Sequence, residues 1–192
     1  MENQSLPEDV LLETERLILR PLGRGDAAGL LALYSLPQVT EFTDIPTMQE
    51  EAQALRWIEQ LNTLRSTGQG LRWGVFDRES GGLIGTCGFH HWDQNRRRAE
   101  ISYDLSPRYW GQGYMREALQ AVLHYGFEQM RLHRIEALVD PRDTRSQNLL
   151  YSLGFKMEGV LRDHDFIKDR FQDDMVFALL EGEGRFLSPT IR

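Results

Sequence analysis

Two glycines, Gly111 and Gly113, stand in Leu105-Ser106-Pro107-Arg108-Tyr109-Trp110-Gly111-Gln112-Gly113-Tyr114-Met115, between a strand pattern and a long helical one. Glycine lets the backbone approach a ligand closely, and a helix N-terminus offers unpaired N–H groups at the positive end of its dipole. Together these suit a phosphate or pyrophosphate. A nucleoside-triphosphate loop would end in Gly-Lys-Ser/Thr, whereas Gln112-Gly113-Tyr114 stands here. A dinucleotide fingerprint needs a third glycine, where this chain has Arg116. A plain strand-to-helix turn, with glycines used for tightness, is the alternative.

Other residues with chemical potential are scattered. Glu100 lies on a strand pattern, and Asp165 belongs to the acidic run Asp163, Asp165, Asp169, Asp173, Asp174. His90 and His91 are consecutive at a strand end and should point opposite ways. His124, His133 and His164 show no metal-ligand spacing, so no metal is expected. Cys87, the only cysteine, sits in an apolar stretch and reads as a core residue in a reducing compartment, hence a cytoplasmic protein.

The elements that must position these groups follow from periodicity. Leu12 to Leu22 reads as a first strand closed by Pro21. Asp26 is placed to cap a short helix, and Thr47 with Glu50 forms a capping box before a second one. Leu71–Asp77 and Leu83–Phe89 flank Gly81-Gly82 as a hairpin, and Ala99–Leu105 is a third strand. A long helix spans about Gly113 to Met130, Arg134–Val139 is a strand, and Thr144–Leu153 is a helix stopped by Gly154. Two strands, Phe155–Ile167 and Phe171–Leu180, finish the pattern. The fold class is α/β (α+β), with a central, partly antiparallel sheet. Residues 10–182 form one domain, and 1–9 and 183–192 read as loose ends.

With 192 residues the chain can bury a proper core. Its net charge of −7 argues against a nucleic-acid partner and suits a cationic one. No apolar run approaches the roughly 20 residues that would span a bilayer, so no membrane partner is expected.

Four segments carry a resemblance. Arg108-x-x-Gly111-x-Gly113 followed by Glu117-Ala118-Leu119 resembles the acetyl-CoA loop of the GNAT acetyltransferases. Asp143-x-x-Ser146-x-x-Leu149-Leu150-x-x-Leu153-Gly154-Phe155-x-x-Glu158-Gly159 resembles that superfamily's next motif. Thr14-Glu15-Arg16-Leu17-x-Leu19-Arg20-Pro21-Leu22 and Ala99-Glu100-Ile101-x-Tyr103 are similar to the ribosomal-protein N-terminal acetyltransferase (RimJ/RimL) branch. The matches fall in the family's order over about Thr14 to Leu180.

The resemblance implies a mixed, mostly antiparallel sheet whose middle strands splay for acetyl-CoA. The pantetheine arm would lie between the strands Ala99–Leu105 and Arg134–Val139, with the pyrophosphate on Arg108 to Gly113. Cofactor contacts are then Leu105, Ser106, Arg108, Trp110, Gly111, Gln112, Gly113, Tyr114, Met115, Asp143 and Ser146. Direct transfer to an amine needs a neutral amine and a proton for the departing thiolate. An α-amine, at about 7.7–8.0, is already partly neutral at pH 7. Ser146 matches the motif serine and is the candidate proton donor, and Asp165 and Glu100 are candidate bases. Asp143 stands where the family usually has Asn, and Leu150 stands where many relatives have a catalytic tyrosine; Tyr151 is about 100° round the helix. The loop Glu41-Phe42-Thr43-Asp44 and the late strand pair should form an acidic acceptor region, which His90 or His164 could reach. The expected acceptor is a protein N-terminus or another cationic amine. A small-molecule amine acetyltransferase and a non-catalytic acyl-CoA binder remain alternatives, and relatives commonly form homodimers.

Overall fold

The computed structural model describes residues 10–184, 186 and 189–191. The expected loose segment 1–9 lies outside them. The elements are β1 (Leu12–Glu13), β2 (Leu17–Arg20), α1 (Ala27–Tyr34), α2 (Pro37–Thr40), α3 (Glu51–Ser66), β3 (Leu71–Asp77), β4 (Leu83–Asp93), β5 (Arg98–Leu105), α4 (Tyr114–Glu128), β6 (Arg134–Val139), α5 (Thr144–Ser152), β7 (Lys156–Ile167), β8 (Arg170–Leu180) and β9 (Thr190–Ile191).

Among the described residues the nine strands form one sheet in the order β7-β8-β6-β5-β4-β3-β2-β1-β9. Every neighbouring pair is antiparallel except β5 and β6. Apolar side chains cover both faces, so strand β3 is buried along nearly its whole length. On one face Leu119 and Val122 of α4 and Leu150 of α5 pack with Trp73, Phe89 and Phe177. On the other, Leu30 and Tyr34 of α1 and Ile58 and Leu61 of α3 pack with Leu22 and Phe76.

Several local expectations are corrected. The first strand is two: the chain turns at Thr14, whose hydroxyl accepts the Leu17 N–H (3.1 Å), and β2 pairs back on β1. Asp26 gives α1 no side-chain cap; it accepts both Arg20 Nη1 (2.8 Å) and Nη2 (2.7 Å) instead. Thr47 does not open α3, because its hydroxyl bonds that of Thr40 (2.7 Å); Gln53 Oε1 accepts the Glu50 N–H (3.1 Å) at the helix start. The expected loose C-terminal end partly rejoins the fold: β9 pairs with β1, and Glu183 accepts the Leu180 N–H (3.1 Å). Gly154 does end α5, with φ +92°.

Candidate functional site

The parallel strands β5 and β6 are bonded only where Arg98–Glu100 face Arg134–Glu136. Beyond Glu100, β5 runs on to Leu105 paired only with β4, and β6 reaches Val139 paired only with β8. The two edges that face each other past that point have no strand between them. Such edges offer backbone N–H and C=O groups to an extended, amide-bearing ligand. A cleft of about 1250 Å³ occupies the divergence, lined by Tyr103 and Leu105 on one side and Ala137 and Val139 on the other.

The loop at the mouth is built for an anion. Gly111 has φ +71° and Gly113 φ +81°, conformations that cost other residues energy. Gly113 is the N-cap of α4 and supplies no side-chain cap, which leaves first-turn N–H groups for a ligand. The Trp110 indole donates to the Leu105 carbonyl (2.8 Å), and Arg145 stacks 3.8 Å over its ring. Glu117 in the first turn accepts Thr14 Oγ1 (2.6 Å), the Arg16 N–H (2.9 Å) and Arg16 Nε (2.7 Å). Arg16 also donates to the Gln112 carbonyl (3.1 Å) and lies 4.2 Å over Tyr114. The Thr14-Glu15-Arg16 turn thus anchors the start of α4. Burial pushes the Glu117 carboxyl up, and these hydrogen bonds more than offset it, holding it below its ordinary value.

Leu105, Trp110, Gly111, Gly113, Tyr114, Met115, Asp143 and Ser146 all line the cleft. Ser106, Arg108 and Gln112, expected with them, stand in the loop between Leu105 and Gly113 and help to shape it. The Ser106 N–H donates to the Ile84 carbonyl (2.8 Å), and Gln112 Nε2 donates to the Arg108 carbonyl (2.7 Å).

Ser146 sits in the first turn of α5. Its N–H (3.1 Å) and its hydroxyl (2.6 Å) both donate to Asp143, the N-cap of that helix. The hydroxyl proton is therefore directed at a carboxylate and is not free. Tyr103, without a role in the sequence reading, donates to the Ser146 carbonyl (3.3 Å), and burial pushes its phenol up. Leu150 is fully buried, whereas Tyr151 is half-exposed and packs edge-on against Phe177.

At the other end of the cleft, Glu100 pairs with His90 Nε2 (3.4 Å) and His91 Nδ1 (3.0 Å). The two histidines do not point opposite ways. His91 adopts φ +47° in a β-bulge, which turns its ring towards that of His90 (4.8 Å between centroids). Burial pushes the Glu100 carboxyl up, and the hydrogen bonds from His90 and His91 overcome this to hold it low. Opposite, His164 Nδ1 lies 2.9 Å from Asp174 and 3.8 Å from the half-exposed Asp165. Both trios have donor atoms within 4.8 Å of one another. Their contacts are histidine–carboxylate pairs. Asp44 and Phe42 line the same end, and Lys168, at the β7–β8 turn, donates to the Thr40 (2.6 Å) and Glu41 (3.1 Å) carbonyls.

Two further features escaped the sequence reading. Trp57 lines the cleft, and its Nε1 is buried without a hydrogen-bond partner among the described residues. Arg72 forms an ion pair with Asp104 beneath the cleft, both side chains nearly fully buried, and Tyr34 donates to the same carboxylate (2.9 Å). A lone arginine in a strand pattern signals no such partner.

Comparison with known proteins matches this geometry. The model of the acetyltransferase (GNAT) domain matches residues 16–156. A Bacillus licheniformis protein named as the uncharacterized N-acetyltransferase p20 is 43% identical over 172 residues, 90% of this chain and 97% of its own length. The [ribosomal protein uS5]-alanine N-acetyltransferase of Escherichia coli is 29% identical over 175 residues, 88% of this chain and 90% of its own. The fold is shared with Mycobacterium smegmatis RimJ in complex with CoA-disulfide, at a TM-score of 0.79 and 23% identity, over 90% of this chain and 85% of that one.

Proposed function

The chain belongs to the GNAT acetyltransferase family, and from that membership we propose that it acetylates the N-terminal α-amine of a protein. Acetyl-CoA supplies the acyl group to GNAT enzymes. The residues present fit it: the divergent edges of β5 and β6 suit the amide-bearing arm, and the uncapped start of α4 suits the pyrophosphate.

The observation that carries the choice of acceptor is the opposite end of the cleft, where Asp44, Glu100, Asp165 and Asp174 gather on the lining. Their negative potential favours a cationic ammonium. An α-ammonium needs little help to lose its proton near neutral pH, unlike a lysine-type amine at about 10.4. The relative that acts on a ribosomal-protein alanine supports the same reading. Ser146 protonates the departing sulfur after its O–H turns from Asp143 into the cleft. Glu100, engaged by two histidines, and Asp165 hold the ammonium in place. The setting is the cytoplasm, and Cys87, whose thiol burial pushes up to about 12, takes no part.

The test is thiol release from acetyl-CoA with a panel of acceptors: peptides bearing free Ala, Ser or Met N-termini, polyamines and aminoglycosides. Turnover concentrated on the peptides is expected. Turnover on the small amines alone overturns the choice of acceptor, and no turnover alongside intact acetyl-CoA binding indicates a non-catalytic binder.

A further inference from the structure

We propose that His164, oriented by Asp174, is the general base that removes the proton from the acceptor ammonium. The inference rests on acetyl transfer to an amine, and not on which amine is the acceptor.

Three independent features converge on this pair. Asp174 is only 7% exposed, and its carboxylate lies 2.9 Å from His164 Nδ1. Both side chains line the acceptor end of the cleft. Asp174 precedes Met175, which pairs with Val139 at the end of β6, past the last bonds between β5 and β6. Finally, the backbone is bent to make the contact. The β7–β8 register breaks between Leu161 and Asp165, and Asp163 takes φ +49° while its N–H donates to Asp173 (2.9 Å). A β-bulge re-aims a side chain, and a left-handed non-glycine residue is a cost the surroundings must impose.

The chemistry follows from the pairing. A carboxylate on Nδ1 selects the tautomer with the proton there, which leaves the Nε2 lone pair to accept a proton. The same carboxylate stabilises the imidazolium that results. Nε2 takes one proton from the acceptor –NH3+, and the half-exposed ring passes it to solvent. The neutral nitrogen then forms the C–N bond as the C–S bond breaks. The nitrogen's second proton is lost as the amide forms, and the leaving sulfur is protonated. The net reaction releases one proton, one amide and one thiol.

The charged groups near His164 stand on several of the elements packed there. Asp174 stands on β8 and Asp165 on β7. Asp140, just past β6, is paired with Arg142 and feels Arg170, and Asp44 faces the cleft from the α2–α3 loop. Burial pushes the Asp174 carboxyl above its ordinary value, and the His164 bond offsets part of this. Forming the imidazolium therefore relieves an unfavourable burial.

The experiment is the pH dependence of kcat/KM for wild type, His164→Gln and Asp174→Asn, with the acceptor that wild type turns over best. His164→Gln should lose on the order of 10²-fold near pH 6.5. That loss should shrink above about pH 8, where an α-amine is neutral without help. Asp174→Asn removes the carboxylate that orients the ring, so kcat/KM should fall while acetyl-CoA affinity stays unchanged. A His164→Gln enzyme within twofold of wild type across the range overturns the proposal, as does a loss equal at every pH. A wild type that prefers a small amine overturns the α-amine reading, and the pH above which the His164→Gln loss should shrink then moves up to that amine's own pKa. NMR of the His164 ring nitrogens decides the pairing without any turnover. The Nδ1–H tautomer is expected in wild type, and an Nε2–H tautomer overturns the proposal.

Discussion

Replacing Gly113 by alanine isolates the conformational demand at the mouth of the cleft. Gly113 sits at φ +81°, ψ 0°, and an added Cβ would meet nothing nearer than Arg16 Nη2 at 3.5 Å. That is ordinary contact with the end of a flexible side chain, so no clash adds to the backbone term. The left-handed conformation alone costs an alanine about 1–2 kcal/mol. If the loop keeps its shape, the melting temperature falls by about 2–8 °C for a chain of this size. If the loop relaxes instead, the same energy appears as about 5–30-fold weaker binding of coenzyme A. Thermal denaturation and calorimetric titration with coenzyme A measure the two together. Gly113→Asn should recover much of the loss, because asparagine tolerates the left-handed region. Alanine and asparagine variants that melt like wild type yet bind coenzyme A equally badly would refute the reasoning, since space and not φ would then be the constraint.

Other perturbations follow from the same geometry. Glu117→Gln should cost about 1–3 kcal/mol through its lost ionic hydrogen bonds to Thr14 and Arg16. Because that carboxyl is held low, its contribution is complete above about pH 4.3 and vanishes as pH falls through the depressed value; acid denaturation should show the two proteins converging there. Asp104→Ala strands the buried Arg72 guanidinium and should destabilise the fold by about 3–5 kcal/mol in urea titration.

What the sequence made legible is local. The β3–β4 hairpin around Gly81-Gly82, the strand Arg134–Val139 and the glycine loop before α4 all depend on short-range chemistry, and the structure has them where the pattern puts them. What it concealed depends on partners distant in the chain. The turn at Thr14 makes sense only once Glu117 is brought to it. Asp26 is a good cap by type, yet Arg20 claims its carboxylate. Ser146 carries a hydroxyl in the expected place, but the N-cap Asp143 decides where the proton points. The histidines were misjudged because strand alternation assumes a regular backbone. Bulges at His91 and near Asp163 break that alternation and gather His90 with His91 and His164 with Asp174.

The most direct measurement is the position of the acetyl group on a single peptide that carries both a free N-terminal alanine and an internal lysine. Incubated with the enzyme and acetyl-CoA and sequenced by tandem mass spectrometry, the product should carry acetyl on the α-amine and leave the lysine unmodified. Acetyl found on the lysine, with the N-terminus free, would contradict the account.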